Sequence, residues 1–177
     1  MKNETIVFGG GCFWCTEAVF LKLRGVILVT SGYAGGNVDN PNYYEVSEGK
    51  TGHAEVIKVV FDPKTISFKS LLSVFFAVHN PTSLNKQGND TGTQYRSIIF
   101  YTTKEQMKEA KISIEKINKS KEFDSPVVTE IIPLDKFFTA EEFHQNYFQK
   151  NSDQPYCDYV IVPKLEKLQE KFINLLK

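Results

Sequence analysis

The amino-acid sequence predicts a mixed α/β fold, a two-layer α+β sandwich in which helices flank one mixed sheet. Short β-branched runs and amphipathic helical stretches alternate in mixed order along the chain, and two long polar loops lie between them. No internal repeat, linker or low-complexity segment divides the 177 residues. A chain of this length suits one hydrophobic core, so residues 1–177 are expected to form a single domain.

The first half of the chain is expected to supply three strands and two helices. Val19, Phe20 and Leu23 recur at helical spacing, and Gly25 can form the left-handed cap that ends this helix. The best buried helix is predicted at 67–79, where the apolar residues share one face. The predicted elements are a strand at 5–8, a helix at 16–24, a strand at 26–30, a polar loop at 37–53, a strand at 54–61 and a helix at 67–79.

The second half is predicted from capping patterns and proline positions. Thr102 with Glu105, and Thr139 with Glu142, each match a capping box that would open a helix. Pro163 suits the first turn of a last amphipathic helix. The predicted elements are a polar loop at 82–95, a strand at 97–101, a helix at 102–119, a strand at 127–132, a helix at 139–148 and a final helix from 163.

Composition and charge argue against several classes of partner. Lys plus Arg and Asp plus Glu both number 21, so nothing favours nucleic acid or an anionic membrane. Residues 1–4 show no signal-peptide pattern, and the most apolar window, 71–78, is too short to cross a bilayer. Three cysteines are too few for a disulfide scaffold and indicate a reducing compartment. A soluble, cytoplasmic protein is expected, and a monomer.

The stretch GGGCFWC at 9–15 is the strongest candidate for chemistry. It lies between a predicted strand and a predicted helix, so Cys12 would fall at a helix N-terminus. Unpaired N–H groups and the helix dipole there favour a thiolate, which predicts a lowered pKa and a nucleophilic Cys12. Phe13 and Trp14 would form an apolar wall for a methyl or thioether group. The alternative is a passive, buried Cys in a core turn.

An acid and two phenols could serve such a nucleophile. Glu55 begins an apolar strand, where partial burial would raise its pKa and leave a proton to donate, although an exposed acid at a strand edge is equally consistent. Tyr43 and Tyr95 lie on separate loops and are more often packing residues. Asp90, near two glycines, is explained by turn formation alone.

The cysteines leave several pairings open. Cys12 and Cys15 lie one helical turn apart, so a disulfide between them is plausible, and Cys157 in a C-terminal turn is a second candidate partner. A zinc site built on Cys12, Cys15 and His53 lacks a second close pair of ligands. No metal is therefore expected.

At GGGCFWC the sequence strongly resembles the peptide methionine sulfoxide reductases of the A class, and the likeness runs nearly end to end. Four further blocks resemble that family in order, namely SGYAGG at 31–36, PNYYEV at 41–46, TGHAEV at 51–56 and QGNDTGTQYRS at 87–97. The resemblance implies a single A-type catalytic domain over 1–177, with a mixed sheet, flanking helices and a ferredoxin-like core.

The resemblance also implies residue roles. Cys12 would attack the sulfoxide sulfur and become a sulfenic acid, while Phe13 and Trp14 pack against the substrate methyl group. Glu55, Tyr43 and Tyr95 would hold and protonate the oxygen, and Asp90 would support the site through hydrogen bonds. The substrate would be the S epimer of methionine sulfoxide, free or in proteins, reduced without metal or flavin in the repair of oxidised proteins.

The resolving step is where the sequence departs from the family pattern. The family often has Gly at the position of Cys15, and many members carry recycling cysteines in the C-terminal tail. Cys15 is slightly favoured because it is one turn away, Cys157 comes next, and an external thiol is a third option. The resemblance implies that thioredoxin, or another dithiol, reduces the resulting disulfide.

Two other functions fit the residues without the resemblance. A thioredoxin-like dithiol oxidoreductase built on Cys12 and Cys15 would reduce protein disulfides and ignore sulfoxides. A methionine-binding or zinc-binding module would use Cys12 only structurally.

Overall fold

The computed structural model describes residues 2–177, whose strands form one six-stranded mixed sheet and a separate two-stranded hairpin. The strands are β1 (Glu4–Gly10), β2 (Val26–Ala34), β3 (Ala54–Phe61), β4 (Lys86–Gln87), β5 (Asp90–Thr91), β6 (Ser97–Tyr101), β7 (Glu130–Pro133) and β8 (Phe137–Thr139). The order in the large sheet is β7-β6-β1-β3-β2-β8, and β4 pairs with β5 in the hairpin. Within the large sheet β6 and β7 are parallel, and the other neighbours are antiparallel.

Six α-helices and several short turns of other helix types complete the described chain. The α-helices are α1 (Phe13–Phe20), α2 (Tyr43–Ser47), α3 (Phe68–Val78), α4 (Lys104–Ser120), α5 (Tyr147–Lys150) and α6 (Val162–Phe172). Short 3₁₀ segments lie at Thr93–Tyr95, Glu142–His144 and Ile173–Leu175, and a π-helix at Cys157–Ile161 precedes α6. The predicted mixed sheet with flanking helices is confirmed.

The alternation of side chains along β3 explains how an acid enters the core. Ile57, Val59 and Phe61 belong to the large apolar core together with residues of α1 and α3. Val56 and Ala54 belong to a smaller cluster that includes Val7 and Ile98. Because side chains in a strand point alternately to the two faces, Glu55 lies on the same face as Ile57. The acid therefore sits where the large core meets the first turn of α1.

In the first half of the chain the boundaries of several elements differ from the predicted ones. Helix α1 spans Phe13–Phe20 rather than 16–24, so it ends before Gly25, and the predicted Gly25 cap is wrong. Strand β2 continues to Ala34, four residues beyond its predicted end at residue 30, because it pairs with β3 over its whole length. The predicted loop at 37–53 contains α2, which is closed by a capping box between Asn42 and Glu45.

In the second half both predicted capping boxes are wrong. Helix α4 is capped by Thr103, whose hydroxyl accepts from the Gln106 N–H, while the Thr102 hydroxyl donates to the Thr5 carbonyl. The helix predicted at 139–148 is instead strand β8, a 3₁₀ turn and the short α5. Pairing of β8 with the edge strand β2 extends the backbone there and overrides the local helical pattern.

Within residues 2–177, none of the helices combines the length and the apolar character needed to cross a membrane.

Candidate active site

The junction between β1 and α1 places Cys12 at the start of a helix. Gly11 adopts a positive φ of 94°, and a Cβ at this position would meet the Gln87 side chain at 2.6 Å. The turn therefore requires glycine on both conformational and steric grounds. Cys12 is the N-cap residue of α1, as the sequence predicts. The glycines bring the sulfur to the end of the sheet, opposite Glu55 on β3.

The thiol of Cys12 does not have the lowered pKa that its helical position predicts. The side chain is 8% exposed, and burial raises the pKa of Cys12, with further contributions from Cys15 and Glu55. The N–H of Phe13 donates to Glu55 Oε2 at 3.1 Å, so the carboxyl lies against the first turn of α1, where the charge that it can carry disfavours a thiolate. Burial thus favours the neutral form of the Cys12 thiol.

Glu55 is a buried carboxylic acid. Its side chain is 2% exposed, and burial raises its pKa to about 8, against the opposing effect of the hydrogen bond from the Phe13 N–H. The predicted burial and raised pKa are thus confirmed, and the exposed-edge alternative is wrong. Below about pH 8 the carboxyl holds a proton that it can donate.

One small cavity brings together all the residues singled out at the oxygen and methyl ends of the predicted site. Its volume is about 100 Å³, and its lining consists of Cys12, Phe13, Trp14, Tyr43, Glu55, Asp90, Tyr95 and Tyr156. These residues come from α1, α2, β3, β5, the 3₁₀ turn at 93–95 and the C-terminal segment. Such a cavity presents an acid, phenolic hydroxyls and a thiol to one bound group.

Tyr43 and Tyr95 both line this cavity. Burial raises the pKa of both phenols, and the charge that Glu55 can carry raises them further, so both keep their protons at neutral pH. The backbone N–H of Tyr43 donates to Glu141 Oε1 at 2.7 Å, which fixes the start of α2 against the C-terminal half of the chain. Two O–H groups on independent elements can thus approach one oxygen.

The Trp14 indole is fixed on two sides. Its ring stacks on Tyr147 with centroids 3.6 Å apart and an angle of 4° between the planes. Its Nε1–H donates to His144 Nδ1 at 2.9 Å. Phe13 is buried and packs against Tyr33 and His144. The apolar wall of the cavity is therefore preorganised rather than mobile.

The three cysteines lie in one apolar cluster with Ala18 and Ile161, and all three are free. The Cys12 thiol, which can donate a hydrogen bond to the neighbouring sulfur, lowers the pKa of Cys15 to about 7. Cys157 is fully buried, its thiol donates to the Asn151 carbonyl oxygen at 3.1 Å, and burial raises its pKa. Cys15 is therefore the most acidic of the three thiols.

Cys12 and Cys15 also line a wider groove of about 780 Å³, which gives the sulfur atoms a second approach from solvent. Asp90 and Tyr156 line this groove as well as the small cavity. The Cys12 sulfur is thus buried but borders both cavities.

Several residues of the site were not identified from the sequence. They all come from the C-terminal half, and they are Glu141, His144, Tyr147 and Tyr156. The predicted continuous helix at 139–148 obscured the first three, because the true elements there are a strand and two short turns. The sequence held one usable signal, the tyrosine that directly precedes Cys157.

Comparison with known proteins agrees with this geometry. The family model described as peptide methionine sulfoxide reductase matches residues 4–175. A peptide methionine sulfoxide reductase MsrA from Trichodesmium erythraeum is 53% identical over 169 residues, which cover 96% of each chain. Among solved structures, reduced Mxr1 from Saccharomyces cerevisiae superimposes with a TM-score of 0.80 at 34% identity, covering 88% of this chain and 90% of Mxr1.

A second structure of Mxr1, in complex with Trx2, has a TM-score of 0.58 at 26% identity and covers 82% of this chain and 85% of that one. The match of the family model spans nearly the whole sequence, and so does the similarity to the Trichodesmium protein. This chain belongs to the peptide methionine sulfoxide reductase family.

Proposed function

We propose that this chain reduces the S epimer of methionine sulfoxide, free or within proteins, and that Cys12 is the nucleophile. The observation that carries the proposal is the junction of Cys12 and Glu55 in one cavity, where the Phe13 N–H links the start of α1 to the carboxyl. A thiol and a protonated acid side by side can take an oxygen atom from sulfur without a metal or flavin. Membership of the family supports this reaction.

In the first step the Cys12 sulfur attacks the sulfoxide sulfur and forms an S–S bond, and the S–O bond breaks as the oxygen takes up the thiol proton and a proton from Glu55 and leaves as water. A water molecule then attacks the Cys12 sulfur, the S–S bond breaks, methionine leaves as the thioether, and Cys12 becomes a sulfenic acid as one proton is released. The methionine sulfur is reduced by two electrons and the cysteine sulfur is oxidised by two. Because burial disfavours a free thiolate at Cys12, attack coupled to proton transfer from Glu55 is the favourable route.

The other residues of the cavity have supporting roles in this proposal. Tyr43 and Tyr95 donate to the sulfoxide oxygen, whose negative charge grows as the S–O bond breaks. Phe13 and Trp14 receive the methyl group on the apolar side. Asp90 supports the site through its hydrogen bond with Tyr156. Oxygen donors on one side and an aromatic wall on the other can distinguish the two sulfoxide epimers.

We infer that Cys15 resolves the sulfenic acid, and Cys157 is the second candidate. Cys15 is preferred because it lies beside Cys12 and is the more acidic thiol, whereas the Cys157 thiol is already engaged with a backbone carbonyl. Reduction of the resulting disulfide by a thioredoxin, an external dithiol, is supported by the complex of the related Mxr1 with Trx2.

We also infer the core fold, a single domain and the cellular location of the protein. The order along the chain is β1, α1, β2, β3, α3 and β6, with α2 inserted before β3 and the β4–β5 hairpin and a 3₁₀ turn inserted before β6. The four strands lie in the order β6-β1-β3-β2 in the sheet, which supports a ferredoxin-like core in the two-layer arrangement. The large apolar core, which joins residues of the sheet with residues of α1, α3, α4 and α6, supports a single domain. Three free cysteines support a reducing, cytoplasmic location.

A single-turnover experiment tests the proposed function. Reduced protein is mixed with methionine S-sulfoxide without a reductant, released methionine is quantified, and the sulfenic acid is trapped with dimedone. We expect the wild-type protein to release about one methionine per chain. In the Cys15→Ser variant we expect a dimedone adduct on Cys12. Peptide mapping of the untrapped protein should show a Cys12–Cys15 disulfide.

The matched variants are Cys12→Ser and Cys157→Ser. We expect no methionine from Cys12→Ser and nearly wild-type release from Cys157→Ser. Methionine release by Cys12→Ser at the wild-type rate would contradict the proposal. Reduction of insulin disulfides with no reduction of sulfoxide would instead favour the dithiol oxidoreductase.

A further inference from the structure

The hydroxyl of Tyr156 lies between an acid and a thiol of the site. It donates to Asp90 Oδ2 at 3.2 Å, and it lies 3.7 Å from Cys15 Sγ, a contact in which either atom can be the donor. A phenol carries one proton and two acceptor positions. While the phenol donates its hydrogen bond to Asp90, the Cys15 thiol can donate to the phenolic oxygen. If Cys15 loses its proton, the phenol can donate to the sulfur instead.

The ring of Tyr156 is held in place. It meets the Trp14 indole edge-on, with centroids 5.7 Å apart and an angle of 82° between the planes. The following five residues form the π-helix, whose Cys157 is buried in the cysteine cluster. Asp90, in the β4–β5 hairpin, accepts a hydrogen bond from the Tyr156 hydroxyl. Contacts from three separate elements therefore fix the direction in which this hydroxyl points.

We propose that Tyr156, oriented by Asp90, is a positioning residue for the resolving step, in which its hydroxyl holds Cys15 beside Cys12 and donates to the Cys15 thiolate. This inference rests on the proposed function and assigns that step to Cys15. Cys15 Sγ attacks the Cys12 sulfur, the S–S bond forms, and the S–OH bond of the sulfenic acid breaks. The proton given up by Cys15 leaves with the hydroxyl group as water. Cys15 is oxidised and the Cys12 sulfur is reduced.

The chemistry of the phenol suits this role. Burial, and the charge that the two neighbouring thiols can carry, raise the pKa of Tyr156, so the hydroxyl keeps its proton while Cys15 ionises. A neutral donor stabilises the thiolate without forming a permanent ion pair. The contact with the Tyr156 hydroxyl also distinguishes Cys15 from Cys157, because the Cys157 thiol donates to the Asn151 carbonyl instead.

The test compares Tyr156→Phe with Tyr159→Phe. Phenylalanine keeps the ring and removes only the hydroxyl, and Tyr159, on the same segment, is 81% exposed. After one turnover with methionine S-sulfoxide, the Cys12 sulfenic acid is trapped with dimedone at increasing times, and methionine is quantified in parallel. We expect the sulfenic acid to persist roughly tenfold longer in Tyr156→Phe, a change equivalent to one hydrogen bond of about 1.4 kcal/mol, and unchanged in Tyr159→Phe.

A second readout does not depend on turnover. In a Cys12→Ser background, the pH dependence of Cys15 alkylation by iodoacetamide reports the ionisation of Cys15, and Tyr156→Phe should move its midpoint to higher pH. In a Cys15→Ser background, Tyr156→Phe should add nothing to the lifetime of the sulfenic acid.

The outcomes separate this inference from the proposed function. If wild-type protein released no methionine in one turnover, the proposed function would fail. If it released methionine but Tyr156→Phe changed neither the sulfenic acid lifetime nor the Cys15 midpoint, the inference alone would be wrong. A longer lifetime that persisted in the Cys15→Ser background would also overturn it, because the hydroxyl would then act through another group.

Discussion

Two regions of the molecule meet at Cys12, and they are built differently. On one side lies the sheet, in which β1 and β3 pair over five residues and carry the turn before Cys12 and the buried Glu55. On the other side lies the C-terminal segment 137–161, made of a short edge strand, a 3₁₀ turn, one turn of α-helix and a π-helix. The sheet supplies the acid, whereas the segment supplies Tyr147, Tyr156 and Cys157.

The difference indicates a division of tasks. Oxygen transfer needs an acid at a fixed distance from a sulfur, and a paired strand gives that precision. Resolution and reduction require the same sulfur to meet a second thiol and then an external dithiol. The C-terminal segment supplies the Tyr156 hydroxyl that contacts the Cys15 thiol, so its contribution belongs to that second task.

The largest expected effect lies on the sheet side. Replacement of Glu55 by Gln removes the proton donor, and we expect methionine release in a single turnover to slow by roughly 10²- to 10³-fold, within the range of general acid catalysis. In wild-type protein the rate should fall as pH rises through about 8, since the acid form is present below that pKa and lost above it. The variant should lack this dependence while Cys12 remains open to alkylation.

Glu17→Gln provides the matched control, because Glu17 is also a buried glutamate close to the site. Its carboxylate accepts the N–H groups of Asn146 and Tyr147 and so anchors the C-terminal segment without lining the small cavity. We expect this variant to lower the free energy of unfolding more than the rate of methionine release. Equal losses of rate in the two variants would contradict the division of tasks.

An intermediate effect is expected for the phenols. Tyr43→Phe and Tyr95→Phe each remove one donor to the oxygen, and each should slow methionine release roughly tenfold, the equivalent of about 1.4 kcal/mol. Tyr33→Phe is the control, since the Tyr33 hydroxyl donates to Glu141 at 2.8 Å and is not part of the cavity lining. Losses in Tyr33→Phe as large as those in the other two would show that packing, not donation, is measured.

The smallest expected effect concerns His79, which packs beside the strand that leads to Cys12, and it is an effect on the free energy of unfolding. His79 is buried beside Gly10, and its ring nitrogens contact the Phe75 carbonyl at 2.6 Å and the Ser97 hydroxyl at 2.8 Å. Burial lowers its pKa to about 3, so the unfolded chain binds a proton at this residue between about pH 6.5 and 3 and the folded chain does not. This group therefore reduces stability as pH falls through that window, by up to about 1.4 kcal/mol per pH unit.

Urea unfolding at a series of pH values from 7 to 4 measures this effect. His79→Gln should be less stable at pH 7 but should lose less stability on acidification than the wild type. Parallel slopes for the two proteins would show that another group controls acid unfolding.

The sequence allowed much of the sheet side to be predicted, for a physical reason. The apolar run of β3 is local, so it predicted the strand limits, but it left burial and exposure of the Glu55 side chain equally consistent. The glycines and the following helix placed Cys12 correctly for the same reason. The pKa of Cys12 was predicted in the wrong direction, because burial of the thiol raises it, with further contributions from Cys15 and Glu55. Burial by residues distant in the sequence is not visible in a local pattern.

The C-terminal segment was predicted less well. Thr139 and Glu142 match a capping box, yet pairing of β8 with β2 decides the backbone there. Tyr156 was overlooked because its partners, Asp90 and Cys15, come from distant parts of the sequence. Where tertiary contacts rather than propensity set the structure, the single sequence carries little signal.

The hydrogen bond from the Phe13 backbone to Glu55 has a consequence for sequence variation in this protein. Since the link uses the main chain, its length is insensitive to which side chain occupies position 13, and the spacing of sulfur and acid tolerates exchange among bulky residues. Proline is the exception. Proline is common at the first position of a helix, but here it would remove the N–H that links the start of α1, beside Cys12, to the Glu55 carboxyl.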